Sequence, residues 1–217
     1  MTNRSCALLV ALIVGPSLLA CSTEADPSDD PDQDSLGMFP GTGFGAHDGT
    51  HLFQLPVATT MSDVTWTVDP AQGTVVPAQT PAAYASTPLQ TWALVTVNAS
   101  GTIEIGATSG DKHETSVVQI TAYSPAQIEK GKKRYFDPDN ANVTNRPSCA
   151  SCHTKPDGHD QSPMSIMIWS DEQVLRAITT GRYSDEVILT VDHQWNLTSE
   201  EAAGIVGYLR SLPPHGF

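Results

Sequence analysis

Between residues 116 and 128 the chain reads Ser116-Val117-Val118-Gln119-Ile120-Thr121-Ala122-Tyr123-Ser124-Pro125-Ala126-Gln127-Ile128, and its hydrophobic repeat changes inside that stretch. Val118, Ile120 and Ala122 stand two residues apart, the period of a strand with one buried face. From Ser124 the period becomes 3.6. Ser124-Pro125-Ala126-Gln127 supplies the parts of a helix start: a capping hydroxyl, a proline at the first helical position and a glutamine able to bond back to the cap. The switch predicts β structure before residue 124 and α structure after it.

Working back toward the N-terminus, the alternation recurs in Phe53, Leu55, Val57; Val64, Trp66, Val68; Ala93, Val95, Val97; and Ile103, Ile105, Ala107. Turn-forming clusters separate these runs at residues 69–73, 98–101 and 109–112. Short alternating strands at this spacing predict a small antiparallel sandwich over residues 41–123. It resembles bacterial immunoglobulin-like domains in its Trp66 strand, its Gly101-Thr102-Ile103 turn and its closing strand, without the cysteine pair of antibody domains. His51 and His113 read as solvated strand-end residues. Working forward, Ser170-Asp171-Glu172-Gln173 and Thr198-Ser199-Glu200-Glu201 repeat the capping device. Tyr123, Trp169 and Leu197 precede the three caps as hydrophobic staples toward Ile128, Val174 and Ala202. Gly181 and Pro213-Pro214 mark the stops of the second and last helices.

The chain has 217 residues, with 11 Lys+Arg against 24 Asp+Glu and a formal charge of −13. That balance argues against nucleic acid as a partner, because no basic surplus exists to neutralise phosphates. At the N-terminus Arg4 precedes an apolar run from Ala7 to Ala20, shorter than the roughly 20 residues that span a bilayer as a helix. Residues 1–20 therefore read as a signal peptide. Leu18-Leu19-Ala20-Cys21 resembles the bacterial lipobox, which implies lipidation of Cys21 and an extracytoplasmic chain tethered to a bacterial membrane. An ordinary secretory signal with an incidental cysteine is the alternative. Acidic residues with Pro, Ser and Gln dominate the next segment, so residues 21–40 read as a flexible tether. The sequons at Asn98, Asn142 and Asn196 carry little meaning in a bacterial lipoprotein.

Chemistry concentrates in Cys149-Ala150-Ser151-Cys152-His153. Two thiols separated by two residues can form thioethers with two vinyl groups on one porphyrin edge, and the next residue, His153, then lies under the iron. A Cys149–Cys152 disulfide and a zinc site completed by His159 remain alternatives at this point.

Residues 124–214 resemble class I monohaem c-type cytochromes. Gly131 and Tyr135 match the glycine and aromatic of that family's first helix, and Tyr208 the aromatic of its last. The resemblance implies an all-α cytochrome c domain over residues 124–217, following the sandwich, with one covalent haem c. It implies Cys149, Cys152 and His153 as the anchors and the proximal iron ligand, and the Pro163 carbonyl as acceptor for the other N–H of His153. Most family members present a distal methionine before the last helix, where this chain has none. His193 is therefore expected as the sixth ligand, with Met167 or Met164 as alternatives, and Trp195 is expected against the haem edge. His215, beyond the last helix, is a poor candidate. Lys130, Lys132, Lys133 and Arg134 form a basic cluster that could dock an acidic redox protein, or be a solvated helix face.

A haem with both axial positions filled suits electron transfer rather than catalysis. The expected function is a membrane-tethered electron carrier that is not an enzyme, with a redox protein as partner. A haem enzyme or small-ligand sensor with an open distal position, and an adhesion or structural lipoprotein working through the sandwich, are the alternatives.

Overall fold

The computed structural model describes residues 37–137, 148–154, 158–182, 184, 189 and 195–217. The strands are β1 (Met38–Phe39), β2 (Thr42–His47), β3 (Gln54–Thr59), β4 (Thr65–Val68), β5 (Gly73–Ala78), β6 (Thr91–Val97), β7 (Gly101–Ser109) and β8 (Lys112–Ala122). They form two four-stranded sheets, in the orders β1-β3-β6-β5 and β2-β8-β7-β4. Alternation decides which side chains meet between the sheets. Leu55 and Val57 of β3, Val95 of β6, Ile105 of β7 and Val118 of β8 are all buried, while Thr102 and Gln119 on the opposite faces are exposed. The turns fall where Asp69, Asn98 and Gly110 stand, and Gly110 takes a left-handed φ of 60°.

Three strands carry little alternation in sequence. β2 is Thr42-Gly43-Phe44-Gly45-Ala46-His47, whose glycines offer no side chain to count. A Cβ on Gly45 would lie 2.7 Å from Cδ1 of Ile120 and 3.1 Å from Cδ2 of Leu55, so this strand approaches the core closely because it lacks bulk. β5 sits at a sheet edge, holds Pro77 and leaves Val76 exposed, which erases its pattern. β1 is two residues long, and Met38 and Phe39 pair with Thr59 and Ala58.

The helices are α1 (Pro125–Phe136), α2 (Ala150–His153), α3 (Pro163–Ile166), α4 (Asp171–Thr180) and α5 (Ser199–Arg210). α1, α4 and α5 each begin in a full capping box, at Ser124, Ser170 and Thr198, and α4 ends at Gly181 with φ 69°. Removing one hydroxyl, as in Thr198→Ala, is expected to lower stability by about 1 kcal/mol, read as a shift in the urea midpoint. An unchanged midpoint would mean that water caps α5 equally well.

These helices do not build a domain of their own. β2 runs parallel to β8, and its other edge is closed from the helical side. The Phe44 N–H donates to the Met167 carbonyl at 2.7 Å, and the Arg210 guanidinium donates to the Phe44 carbonyl at 2.9 Å. Thr121 and Tyr123, at the end of β8, donate to the Asp171 carboxylate at 2.6 and 2.7 Å. His51 is not simply solvated: its ring bonds Asp48 at 2.6 Å and reaches Glu129 of α1 at 3.2 Å. One hydrophobic cluster runs from Ile105 and Val118 of the sandwich to Ile128, Met167 and Ile205 of the helical segments. A second lies on the outside of the first sheet, where Trp92 and Ala58 meet Met164, and the Phe217 ring lies 5.7 Å from that of Trp92.

The expected fold class, a sandwich followed by an all-α cytochrome c domain, is therefore corrected. The described chain is mostly β, two sheets with five short helices packed onto them, and residues Leu36–Phe217 form one compact unit. The physical reason is that capping boxes and a 3.6 period report that a helix forms, and are silent about what its apolar face meets.

Candidate functional site

The pentapeptide forms one helical turn. Cys149 caps it with helical dihedrals, and the amides of Cys152 and His153 donate to the Cys149 carbonyl at 3.2 and 3.0 Å. Ser151 and Thr154 hydroxyls close the turn on the carbonyls of Ser148 and Ala150. Residues three apart on such a turn share a face, so the thiols of Cys149 and Cys152 lie on one side. Both are free thiols, Cys149 half-buried and Cys152 exposed. Thus the disulfide alternative is not the state observed.

The chain returns over this turn at Gly158, where a Cβ would lie 2.5 Å from the Cys152 carbonyl oxygen. The return places the His159 carbonyl 3.0 Å from His153 Nδ1. A carbonyl can only accept, so Nδ1 carries a proton. That bond also fixes the ring's orientation, as an outer partner does for a ligating histidine. The acceptor is not Pro163, as the resemblance implied. Pro163 is buried at the first position of α3, and its carbonyl accepts the Met167 N–H at 3.0 Å.

Next to the pentapeptide stands the C-terminal end of α1. Burial raises the Cys149 thiol above its ordinary value, and the Arg134 charge acts to lower it. Tyr135, buried and affected by the Cys149 charge, is pushed up to about 12 and stays protonated. Its ring meets Tyr208 at 5.2 Å between centroids, with Phe136 closing the cluster. α1 and α5 cross below these rings, where a Cβ on Gly131 would lie against the Gly204 carbonyl. Trp195 is buried in the main core, and the Arg134 guanidinium lies 5.2 Å from its ring centroid. The expected basic cluster thus divides: Arg134 turns inward, Lys130 pairs with Glu200, and Lys132 and Lys133 are exposed.

Both candidate methionines are committed to packing, Met164 against Trp92 and Ala58 and Met167 within the main core. His193 and Cys21 lie outside the described residues. His215 holds the Ser162 hydroxyl through its own amide at 3.0 Å, and its ring is 3.8 Å from Asp160. Sequence reading missed His159 as a backbone partner and Gly158 as the residue that brings it there. The only signal was a glycine closely following the motif.

Among the described residues no group of three or more His, Cys, Asp or Glu side chains converges as a metal site. The expectation of a metal-binding group, the zinc alternative with His159 included, is therefore corrected, as is the description of the chain as a cytochrome c. Haem makes a different demand, since the macrocycle itself supplies four nitrogens. It asks the chain for two thiols on one face and an imidazole with a committed tautomer, and residues 149–153 fit that demand.

The chain matches no family model and no curated protein. Its functional reading therefore stands on the geometry of this turn. No helix among the described residues is long and apolar enough to cross a membrane.

Proposed function

We propose that the protein is an extracytoplasmic electron carrier, held to a membrane by lipid on Cys21 and bearing one haem anchored through Cys149 and Cys152. The observation that supports this best is the His153–His159 bond. It puts a proton on Nδ1 of a ring that stands one residue beyond two thiols three positions apart on one helical turn. When bound, haem supplies a one-electron couple at its iron. The chain's part is to anchor the macrocycle through the two sulfurs and ligate through His153. Tyr135 and Trp195 are buried beside the C-terminal end of α1, the end nearest the turn. His193 is the proposed sixth ligand, consistent with Met164 and Met167 being occupied in the packing. A redox protein, unidentified in sequence, is the proposed partner.

The test is expression of the full chain in a bacterial host equipped for c-type haem maturation. The expected product is coloured and one haem heavier than the lipidated polypeptide, and Cys152→Ser should break one of its two thioethers. A colourless product of bare polypeptide mass refutes the proposal. In the coloured protein His193→Ala is expected to admit carbon monoxide to the ferrous form where the parent resists it; identical spectra for the two would remove His193 as ligand.

A further inference from the structure

The carbonyl that accepts from His153 belongs to His159, and the next residue along, Asp160, ties this return to the rest of the fold. Its carboxylate accepts three hydrogen bonds from the start of α3. Oδ1 takes the Ser162 amide at 2.9 Å, while Oδ2 takes the Ser162 hydroxyl at 2.9 Å and the Ser165 hydroxyl at 2.8 Å. The exposed His215 ring stands 3.8 Å from Oδ1. Ser162 is buried, and its oxygen already accepts the Met164 and His215 amides at 3.3 and 3.0 Å. Both of its lone pairs are then engaged, so its own proton needs an acceptor, and Asp160 supplies it. Helix α3 is in turn fixed to both sheets, through Met164 against Trp92 and Ala58 and through the Met167 carbonyl, which accepts the Phe44 amide at 2.7 Å. A continuous path of bonds thus runs from β2 through α3 and Asp160 to the His159 carbonyl and the His153 ring. The middle of that path calls for a carboxylate. Three donors converge on its two oxygens, and an asparagine, with one oxygen, would leave at least one donor facing an NH2 group.

We propose that Asp160 is a positioning residue for His153: it anchors the His159 carbonyl to α3, which keeps the proton on Nδ1 and the ring in one orientation. That the ring so held ligates iron rests on the haem reading above. There the bond would strengthen the opposite nitrogen as a donor to iron, and a stronger donor favours the ferric form.

The test uses the full-length lipidated chain in detergent, prepared with and without haem maturation. In the haem-free chain, labelled with nitrogen-15 at histidine and held at about pH 8, where an ordinary imidazole is neutral, ring-nitrogen spectra give the ratio of Nδ1–H to Nε2–H forms of His153. The parent is expected to be mostly Nδ1–H, and Asp160→Ala to lower the ratio about fivefold, the worth of one net hydrogen bond. Asp160→Asn should lower it at least about twofold, and carries the test if the alanine variant does not fold. Thr198→Ala, which weakens the start of α5 instead, should leave the ratio at the parent's. A folded Asp160 variant with the parent's ratio overturns the inference, as does a parent that is mostly Nε2–H. So does a Thr198→Ala protein that falls as far as Asp160→Ala, because general loosening would then explain the change. In the coloured protein, Asp160→Ala should raise the ferrous-to-ferric ratio about threefold at the potential where the parent is half reduced. An unchanged ratio there overturns the role toward iron. A colourless parent from the maturing host overturns the haem reading alone, since the ring-nitrogen ratio is read without haem.

Discussion

Replacing Arg210 with Met is expected to lower the free energy of unfolding by about 3 kcal/mol, the low end for breaking a buried charge pair. The side chain is 2% exposed, and its guanidinium serves three acceptors on three segments. Nε donates to Asp171 at 2.7 Å, Nη1 to the Phe44 carbonyl at 2.9 Å and Nη2 to the Trp169 carbonyl at 2.7 Å. Met fills much of the volume of the arginine stem, so little of the loss is cavity. What remains is a carboxylate stripped of its cation and two carbonyls stripped of their donors, each costing about 1 kcal/mol or more. Two features keep the figure from the top of the range. Thr121 and Tyr123 still donate to Asp171, whose side chain is 28% exposed and so reachable by water. Tyr123 keeps its proton to do so, since burial, and then the Asp171 charge, raise its phenol far above ordinary values. A surface pair supplies the contrast. Lys130 and Glu200 are both exposed, and Lys130→Ala should leave the urea midpoint close to the parent's. Urea unfolding of the two variants separates the cases; equal midpoints would show that the Arg210 clasp does not join α5 to β2 and α4.

The same clasp explains what the sequence could reveal and what it could not. Ser124, Ser170 and Thr198 announced three helix starts because capping is chemistry between residues three apart, fully contained in the local sequence. Gly181 announced a left-handed stop for the same reason. Val95, Ile105 and Val118 announced a buried face through their period of two. Arg210 announced nothing. Read on helical spacing it is one more polar residue near the end of α5, and its acceptors at positions 44, 169 and 171 are distant in sequence. The expectation of an all-α cytochrome c fold after the sandwich failed at this point, because polar contacts across a layer leave no periodic trace. The candidate site divides along the same line. Its thiols and imidazole are legible as a spacing, but the outer partner is not, since any residue's carbonyl can accept and only the return at Gly158 selects that of His159. Arg134 is the converse case. Four consecutive or near-consecutive basic residues look alike in a sequence, and the helical turn alone sends one of them inward.

Gly131→Ala sets two opposed effects against each other, and the packing term is expected to win. Alanine favours a helix over glycine by about 1 kcal/mol, so at an exposed site in α1 the change would stabilise. At residue 131 the added Cβ would collide with the Gly204 carbonyl and come 2.5 Å from the Ile205 amide nitrogen, both backbone atoms that no rotamer change can move. Gly204 is equally closed, its own Cβ position lying 2.8 Å from the Gly131 amide nitrogen. The helices must part by roughly 1 Å along their crossing, and such overpacking costs about 3 kcal/mol when a whole element has to shift. The net loss is then about 2 kcal/mol, or about 4–8 °C in melting temperature for a chain of this size. Parting also carries Tyr135 away from Tyr208, one turn above, where the rings meet at 5.2 Å beside the Cys149 turn. In the proposed haem-bearing form the variant should therefore alter the visible spectrum at temperatures well below its melting point, which a distant loss of stability would leave untouched. Lys132→Ala, one residue along on the exposed face, serves as the control and should change neither quantity. A Gly131→Ala protein that melts with or above the parent would mean the two backbones are not in the close contact that aligns the α1–α5 crossing with the candidate site.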